Sequence, residues 1–151
     1  YMKRNKLPFY SLADAVSPFA ALGLGLGRIG NFINGELYGR VTSVPWAMIF
    51  PYSDNQPRHP SQLYQALTEG LLLFIILQIT YRKIKREGIV IWLFIGLYGL
   101  FRFLIEFFRE PDQHIGYLMF NLSLGQILCL LMIIGAAIGL FSVLRPKRNK
   151  L

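Results

Sequence analysis

The chain is poor in the residues that build soluble or disulfide-stapled domains. It has 151 residues, one cysteine, two histidines and only eight acidic side chains. The single thiol, Cys129, excludes an intramolecular disulfide and a cysteine metal cluster, and inside an apolar run it reads as packing. Charged residues are 16% of the chain against 54% hydrophobic, and mean hydropathy is +0.42. A soluble domain of that composition has too little polar surface to cover itself. Internal repeats and low-complexity tracts are lacking. No cleavable leader is expected, because the basic lead runs into a segment without a small-residue cleavage pattern. The net charge of +8 is not a nucleic-acid footprint: the basic residues sit in short runs beside apolar segments, and no basic face recurs along a helix. No metal site and no cofactor are expected. What remains is one integral membrane domain over 1–151, an all-α multipass protein.

Four spans are expected, at about 12–30, 61–81, 89–108 and 122–144. The first carries Asp14 and Pro18, and Gly23, Gly25 and Gly27 let another backbone approach closely. The stretch from Asn34 to Pro60 is not membrane-like. Pro45, Pro51, Pro57 and Pro60, with Asp54 and Asn55, mark turns, and Val44 to Phe50 reads as a short strand or an interfacial arm. Trp46 and Tyr52 suit the head-group layer. Pro60 and Ser61 open the second span, where Gln62, Gln65 and Glu69 fall on one stripe. Tyr98, Arg102, Glu106 and Arg109 share one face of the third. A polar connection with Pro111, Asp112 and His114 leads to the fourth, and His114 reads as a surface residue.

Basic runs stand at the N-terminus, after the second span (Arg82 to Arg86) and at the C-terminus. Four spans put all three on one side, so the positive-inside rule predicts cytoplasmic termini and an outward-facing arm between the first two spans. Depth follows from helical rise. Arg28 ends the first span, Arg102 lies about 10 Å inside the outer end of the third, and Glu69 about 12 Å inside the second. A lipid-facing arginine at mid-membrane costs on the order of 2.5–3.5 kcal/mol, so these charges should face one another or a shared wet cavity.

The segment from Gly27 to Arg40 is the chemical focus. Arg28 offers a planar donor fork matched to phosphate. Asn31 and Asn34 add neutral donors and acceptors, and Glu36 can orient an arginine or accept a hydroxyl. Gly30, Gly35 and Gly39 allow tight turns and a close backbone. Such a site suits a phosphate ester bearing hydroxyls at the outer leaflet, and phosphatidylglycerol is one. Each residue also has a plainer reading. Arg102 and Glu106 form an ion pair that helix spacing alone explains. Gln62, Gln65 and Glu69 suit interhelical hydrogen bonding as well as ligand contact. His59 is a general base or a structural hydrogen-bonder, and Tyr98 a site residue or core packing.

Gly27-Arg28-Ile29-Gly30-Asn31-Phe32-Ile33-Asn34-Gly35-Glu36 through Gly39 resembles the signature of bacterial prolipoprotein diacylglyceryl transferases. The stretches Arg58-His59-Pro60-Ser61-Gln62-Leu63-Tyr64-Gln65 and Tyr98-Gly99-Leu100-Phe101-Arg102, with Glu106 to Asp112, resemble two further family segments in the same order. The resemblance implies transfer of the diacylglyceryl group of phosphatidylglycerol to the lipobox cysteine thiol of a prolipoprotein signal peptide. A thioether forms and glycerol phosphate leaves, the first step of lipoprotein biosynthesis at the bacterial inner membrane. It assigns the lipid phosphate to Arg28, and to Arg102 the phosphate or the thiolate. Asn31, Asn34, Glu36 and Glu106 become polar lining, Gly39 backbone room, and His59 or Tyr98 a proton-transfer group. The family has about seven spans and an upstream His-Gly-Gly motif, which this chain lacks. The expectation is therefore a C-terminal portion, inactive alone. Two other classes fit the residues: a non-catalytic binder of anionic phospholipid, and a small transporter subunit with Arg102 and Glu69 on a substrate path.

Overall fold

The computed structural model describes residues 8–51, 53–109 and 122–145. These fold into four helices: α1 (Phe9–Ile33), α2 (Ser61–Lys83), α3 (Ile89–Ile105) and α4 (Leu124–Leu144). Three are long and apolar enough to cross a membrane, and α3, with 17 residues, is a shorter apolar helix. Among the described residues no strand forms; the stretch from Val44 to Phe50 is an irregular arm held by isolated bridges. The assembly is an all-helical multipass membrane protein. Tyr52, Pro111, Asp112 and His114 lie outside the described residues, as do the N-terminal basic run and the C-terminal one beyond Arg145.

Pro18 does not break α1. It is buried, and Ser17 donates its hydroxyl to the Ala13 carbonyl one turn back, 2.7 Å away. Pro18 removes the amide that would serve the Asp14 carbonyl, a loss that a spanning helix tolerates where it packs against its neighbours. The α1–α2 crossing rests on bare backbone. A Cβ on Gly25 would sit 2.8 Å from the Gly70 Cα, and one on Gly70 2.6 Å from the Gly25 Cα. Small residues at such a crossing exchange side-chain volume for close packing, which drives association where lipid and side chains are equally apolar. Ala21, Leu73, Leu77 and Val90 form the buried core beside it, flanked by Phe74, Leu97 and Tyr98. The α3–α4 pair uses the same device: the indole of Trp92 lies so close over Gly139 that a Cβ there would overlap the ring.

Asp14 has a role that the sequence pattern does not reveal. Its carboxylate, 4% exposed, accepts from the Gly88 amide at 2.5 Å and from the Ile91 amide at 2.8 Å. A side chain of α1 thereby caps the start of α3, where the backbone donors have no partner within the helix. Gly88 takes φ 89° to make the turn. At the other end α3 stops at Ile105, short of the expected 108. The chain leaves the helix because Arg40 donates its amide to the Phe108 carbonyl and Gly39 bridges Arg109. α4 begins with a reciprocal Ser123–Gln126 capping box.

Gly70→Val places a branched side chain against the α1 backbone, and overpacking of this sort typically costs 1–3 kcal/mol, roughly. Reversible unfolding in mixed micelles should show that loss for Gly70→Val and little change for Gly27→Ala, where a Cβ meets nothing within 4 Å.

Candidate functional site: a buried carboxylate between two arginines

Between Ala66 and Leu72 the winding of α2 widens into a π-helical turn. Such turns cost hydrogen-bond geometry and recur at functional sites. Glu69 sits in it with 0% of its side chain exposed. One carboxylate oxygen lies 3.9 Å from the Arg28 Nε of α1, and the other 3.9 Å from the Arg102 Nη1 of α3. The arginine Nη2 on the far side of Arg102 lies 3.4 Å from Glu106, whose same oxygen takes Arg109 Nη1, also at 3.4 Å. The Ser123 hydroxyl donates to the remaining Glu106 oxygen at 3.2 Å. Residues from all four helices or their ends therefore meet in one cluster, at the common depth that helical rise predicts for Arg28, Glu69 and Arg102.

The cluster is poor in hydrogen bonds. Among the described residues three guanidinium groups face two carboxylates. Both Glu69 oxygens and Arg102 Nη1 are buried without a hydrogen-bond partner, as are both polar atoms of the Gln65 amide and the Gln62 Oε1. A buried polar group left unsatisfied costs on the order of 1–3 kcal/mol, more when charged. The Arg28 and Arg102 side chains keep 20% and 15% exposure while their counter-charge is sealed beneath them. That geometry presents cations to an arriving anion. Among the described residues no group of three metal-ligating side chains forms.

The arm carries the other expected site residues and fixes them differently. Arg58 is its hub. It forks onto Asp54 through Nε (3.1 Å) and Nη2 (3.0 Å), donates Nη1 to the Gly39 carbonyl (3.1 Å), and lies over the Tyr38 ring at 5.0 Å. Gly39 is pressed between backbones: a Cβ would stand 2.8 Å from the His59 carbonyl and closer still to that of Phe108. Gln62 donates to the Glu36 carbonyl at 2.6 Å and Ser61 to that of Leu37 at 3.2 Å, tying the arm to the start of α2. The Asn31 carbonyl accepts the Glu36 amide at 2.9 Å, with Gly35 at φ 70° in the turn. The side chains of Asn31, Asn34 and Glu36 make no hydrogen bond among the described residues, and those of Asn34 and Glu36 are exposed.

His59 and Tyr98 stand apart from the arginines in their packing. His59 shares a 3.1 Å hydrogen bond between Nδ1 and the Tyr64 hydroxyl, which also accepts from Trp46 at 2.7 Å. The imidazole packs edge-on against Tyr64 and Phe108. Tyr98 stacks on Phe94 at the core, although its sequence spacing puts it on the Arg102 face. Three residues have roles that the sequence pattern does not assign. Asp14 carried the available signal, an acid inside an apolar segment; Arg58 carried one in Asp54 four residues earlier, and Ser123 one in Gln126 three residues later, while their ties to Gly39 and Glu106 lie too far along the chain to read.

A helical bundle long and apolar enough to cross a membrane, holding an arginine-rich, cation-presenting cluster, defines a multipass membrane protein with a site suited to an anion. Comparison narrows this. Residues 1–142 match the prolipoprotein diacylglyceryl transferase family, and the chain belongs to that family. It is 58% identical over 126 residues to a phosphatidylglycerol–prolipoprotein diacylglyceryl transferase of Geobacter sulfurreducens, covering 83% of this chain and 48% of the relative. Proteins of the same name from Aeromonas salmonicida and Idiomarina loihiensis are 52% and 50% identical, covering 91% and 99% of this chain and 50% and 55% of the relative. The chain spans about half the length of the curated relatives it matches.

Two groups of the arm titrate in separate windows. The hydrogen bonds from Arg58 hold Asp54 below its ordinary value of 3.8, and burial pushes the His59 imidazole below 6.5. A depressed imidazole is protonated more readily in the opened arm, so the arm keeps its full His59 stability above pH 6.5 and loses it as pH falls through that value. The Asp54 contribution survives until pH falls toward and below 3.8. Amide exchange across the arm should accelerate as pH drops below 6.5, after correction for intrinsic rates, and His59→Phe should abolish that step while sparing the one near 3.8.

Proposed function

We propose that this chain carries the phosphatidylglycerol-handling part of a diacylglyceryl transferase, which moves the diacylglyceryl group of that lipid to the lipobox cysteine of a prolipoprotein. The observation that carries the reading is the Glu69 carboxylate sealed between Arg28 and Arg102, in a chain of this family. The names of the relatives supply the two substrates.

The chemistry divides cleanly. The cysteine must attack as thiolate, because the thiol is a poor nucleophile. Its sulfur forms a bond to the glyceryl carbon, the bond from that carbon to the phosphate oxygen breaks, and glycerol phosphate departs with the electron pair. Negative charge grows on the phosphate during the step, and fixed cations help most there. Arg28 takes the phosphate. Arg102 takes the same phosphate or steadies the incoming thiolate. Glu69 and Glu106 hold the two guanidiniums before substrate arrives, so little reorganisation is needed at the moment of reaction. Asn31, Asn34 and Glu36 line the head-group side, and Gly39 lets the arm lie close. His59, whose imidazole burial pushes below its ordinary value, or Tyr98 assists transfer of the thiol proton.

The setting is the bacterial inner membrane. The basic runs face the cytoplasm and the arginine cluster faces the outer leaflet, where the lipobox of a translocated signal peptide arrives.

The test is a chimera in which this chain replaces the matching segment of the Geobacter relative. In membranes containing phosphatidylglycerol and a lipobox peptide, mass spectrometry should find the thioether-linked diacylglyceryl peptide. Arg28→Ala should lower its rate by about 10²-fold or more. A chimera that folds but yields no product, or an Arg28→Ala variant of undiminished rate, overturns the assignment.

A further inference from the structure

At the end of the bundle away from the arginine cluster lies a cavity of about 320 Å³. Asp14, at its wall, and Arg28 are fourteen residues apart on α1, or about 21 Å at 1.5 Å per residue. Arg82, Lys85 and Arg86 line this cavity together with Ser11 and Tyr81. A second cavity of about 180 Å³ adjoins it, sharing Ser11 and Tyr81 and otherwise lined by Pro8, Leu12 and Ala15. One compartment is thus cationic and the next apolar, with a tyrosine and a serine at their junction.

Cations outnumber acids at the cavity: Arg82, Lys85 and Arg86 line it with Asp14 and Glu87, which leaves one net positive charge. Both Asp14 oxygens are taken by backbone donors as the cap of α3, so they do not hydrogen-bond the cations. Arg86 spends one donor on the Arg145 carbonyl at 2.7 Å, which fixes its position. Glu87 is exposed at the rim. Arg82 and Lys85 make no ion pair or hydrogen bond among the described residues, and both are exposed. Lys83 on α2, also exposed, adds to the positive charge of this end of the helix. An anion is drawn there, and the apolar annex selects one that carries hydrocarbon.

We propose that this pair of cavities binds an anionic phospholipid of the leaflet facing the basic runs, its phosphate against Arg82 and Lys85 and its first acyl carbons against Leu12 and Ala15. Basic pockets between spanning helices recognise lipid head groups in this way, through charge at the surface and hydrocarbon below. The site is independent of the transfer reaction. Its ligand is not consumed, and the shared chemistry is a phosphate monoester or diester on a diacylglycerol rather than a free anion.

The experiment uses the full chain in phosphatidylcholine nanodiscs containing a small fraction of phosphatidic acid with a photoreactive diazirine near its head group. Cross-links mapped by mass spectrometry should concentrate at residues 8–15 and 81–87. Unlabelled phosphatidic acid should displace them, while extra phosphatidylcholine and inorganic phosphate should not. Arg82→Gln with Lys85→Gln, both exposed and safe for folding, should cut the yield about tenfold. Arg28→Ala should leave it unchanged. Cross-links spread evenly over the lipid-facing helices, equal displacement by phosphatidylcholine, or an unaltered yield in the double variant each overturn the proposal. So does an absence of cross-links there, the result expected if protein fills the cavity.

Discussion

A carboxylate sealed inside a membrane helix bundle is tolerable only if cations come to it. Glu69 is fully covered, and taking one charge out of water costs several kcal/mol after relaxation, roughly, unless opposite charge repays it. Arg28 and Arg102 supply that charge from two other helices. Much of the architecture follows from this requirement. α1 must bring its last turns to the level of the π-helical turn, and the Gly25–Gly70 crossing sets α1 against α2 closely enough for it to happen. α3 must end near the same plane, and the second carboxylate, Glu106, completes the row with Arg109 and the cap of α4.

The same requirement leaves the cluster able to act. Ion pairs at 3.9 Å without hydrogen bonds hold the arginines by charge alone, so a phosphate offering real acceptors competes well for them. A fully satisfied bidentate pair would be a stronger strut and a poorer binding site. The contrast lies a short way along the chain, where Arg58 forks onto Asp54 at 3.0–3.1 Å and serves only to fold the arm. One arginine is spent on structure, with all its geometry optimised; two others are held loosely over a buried counter-charge.

The sequence carried the large-scale features because membrane constraints are severe. Apolar length marked the helices, and rise per residue put Arg28, Glu69 and Arg102 at one depth before any contact was visible. Side-chain detail was less legible. Tyr98 has the right spacing for the Arg102 face yet packs against Phe94, since residues sharing a face on a wide stripe can still turn to different neighbours. The exposed Asn34 and Glu36 belong to a motif whose chemistry is plain, but their partners are not fixed by position in the chain. The π turn left no pattern, because helical spacing alone does not report a local change of winding. Asp14 was visible as an anomaly without a purpose; its purpose is the end of a helix more than seventy residues away.

The central claim is that Glu69 holds Arg28 and Arg102 as one unit, and a double-mutant cycle measures it directly. Reversible unfolding of the wild type, Glu69→Ala, Arg28→Ala and the double variant in mixed micelles gives the coupling between the pair. Coupling of about 1 kcal/mol or more is expected, with Glu69→Ala alone the most damaging because it leaves two arginines facing each other. Strictly additive losses would contradict the account, since they would mean that the carboxylate and the arginine do not sense one another across the bundle.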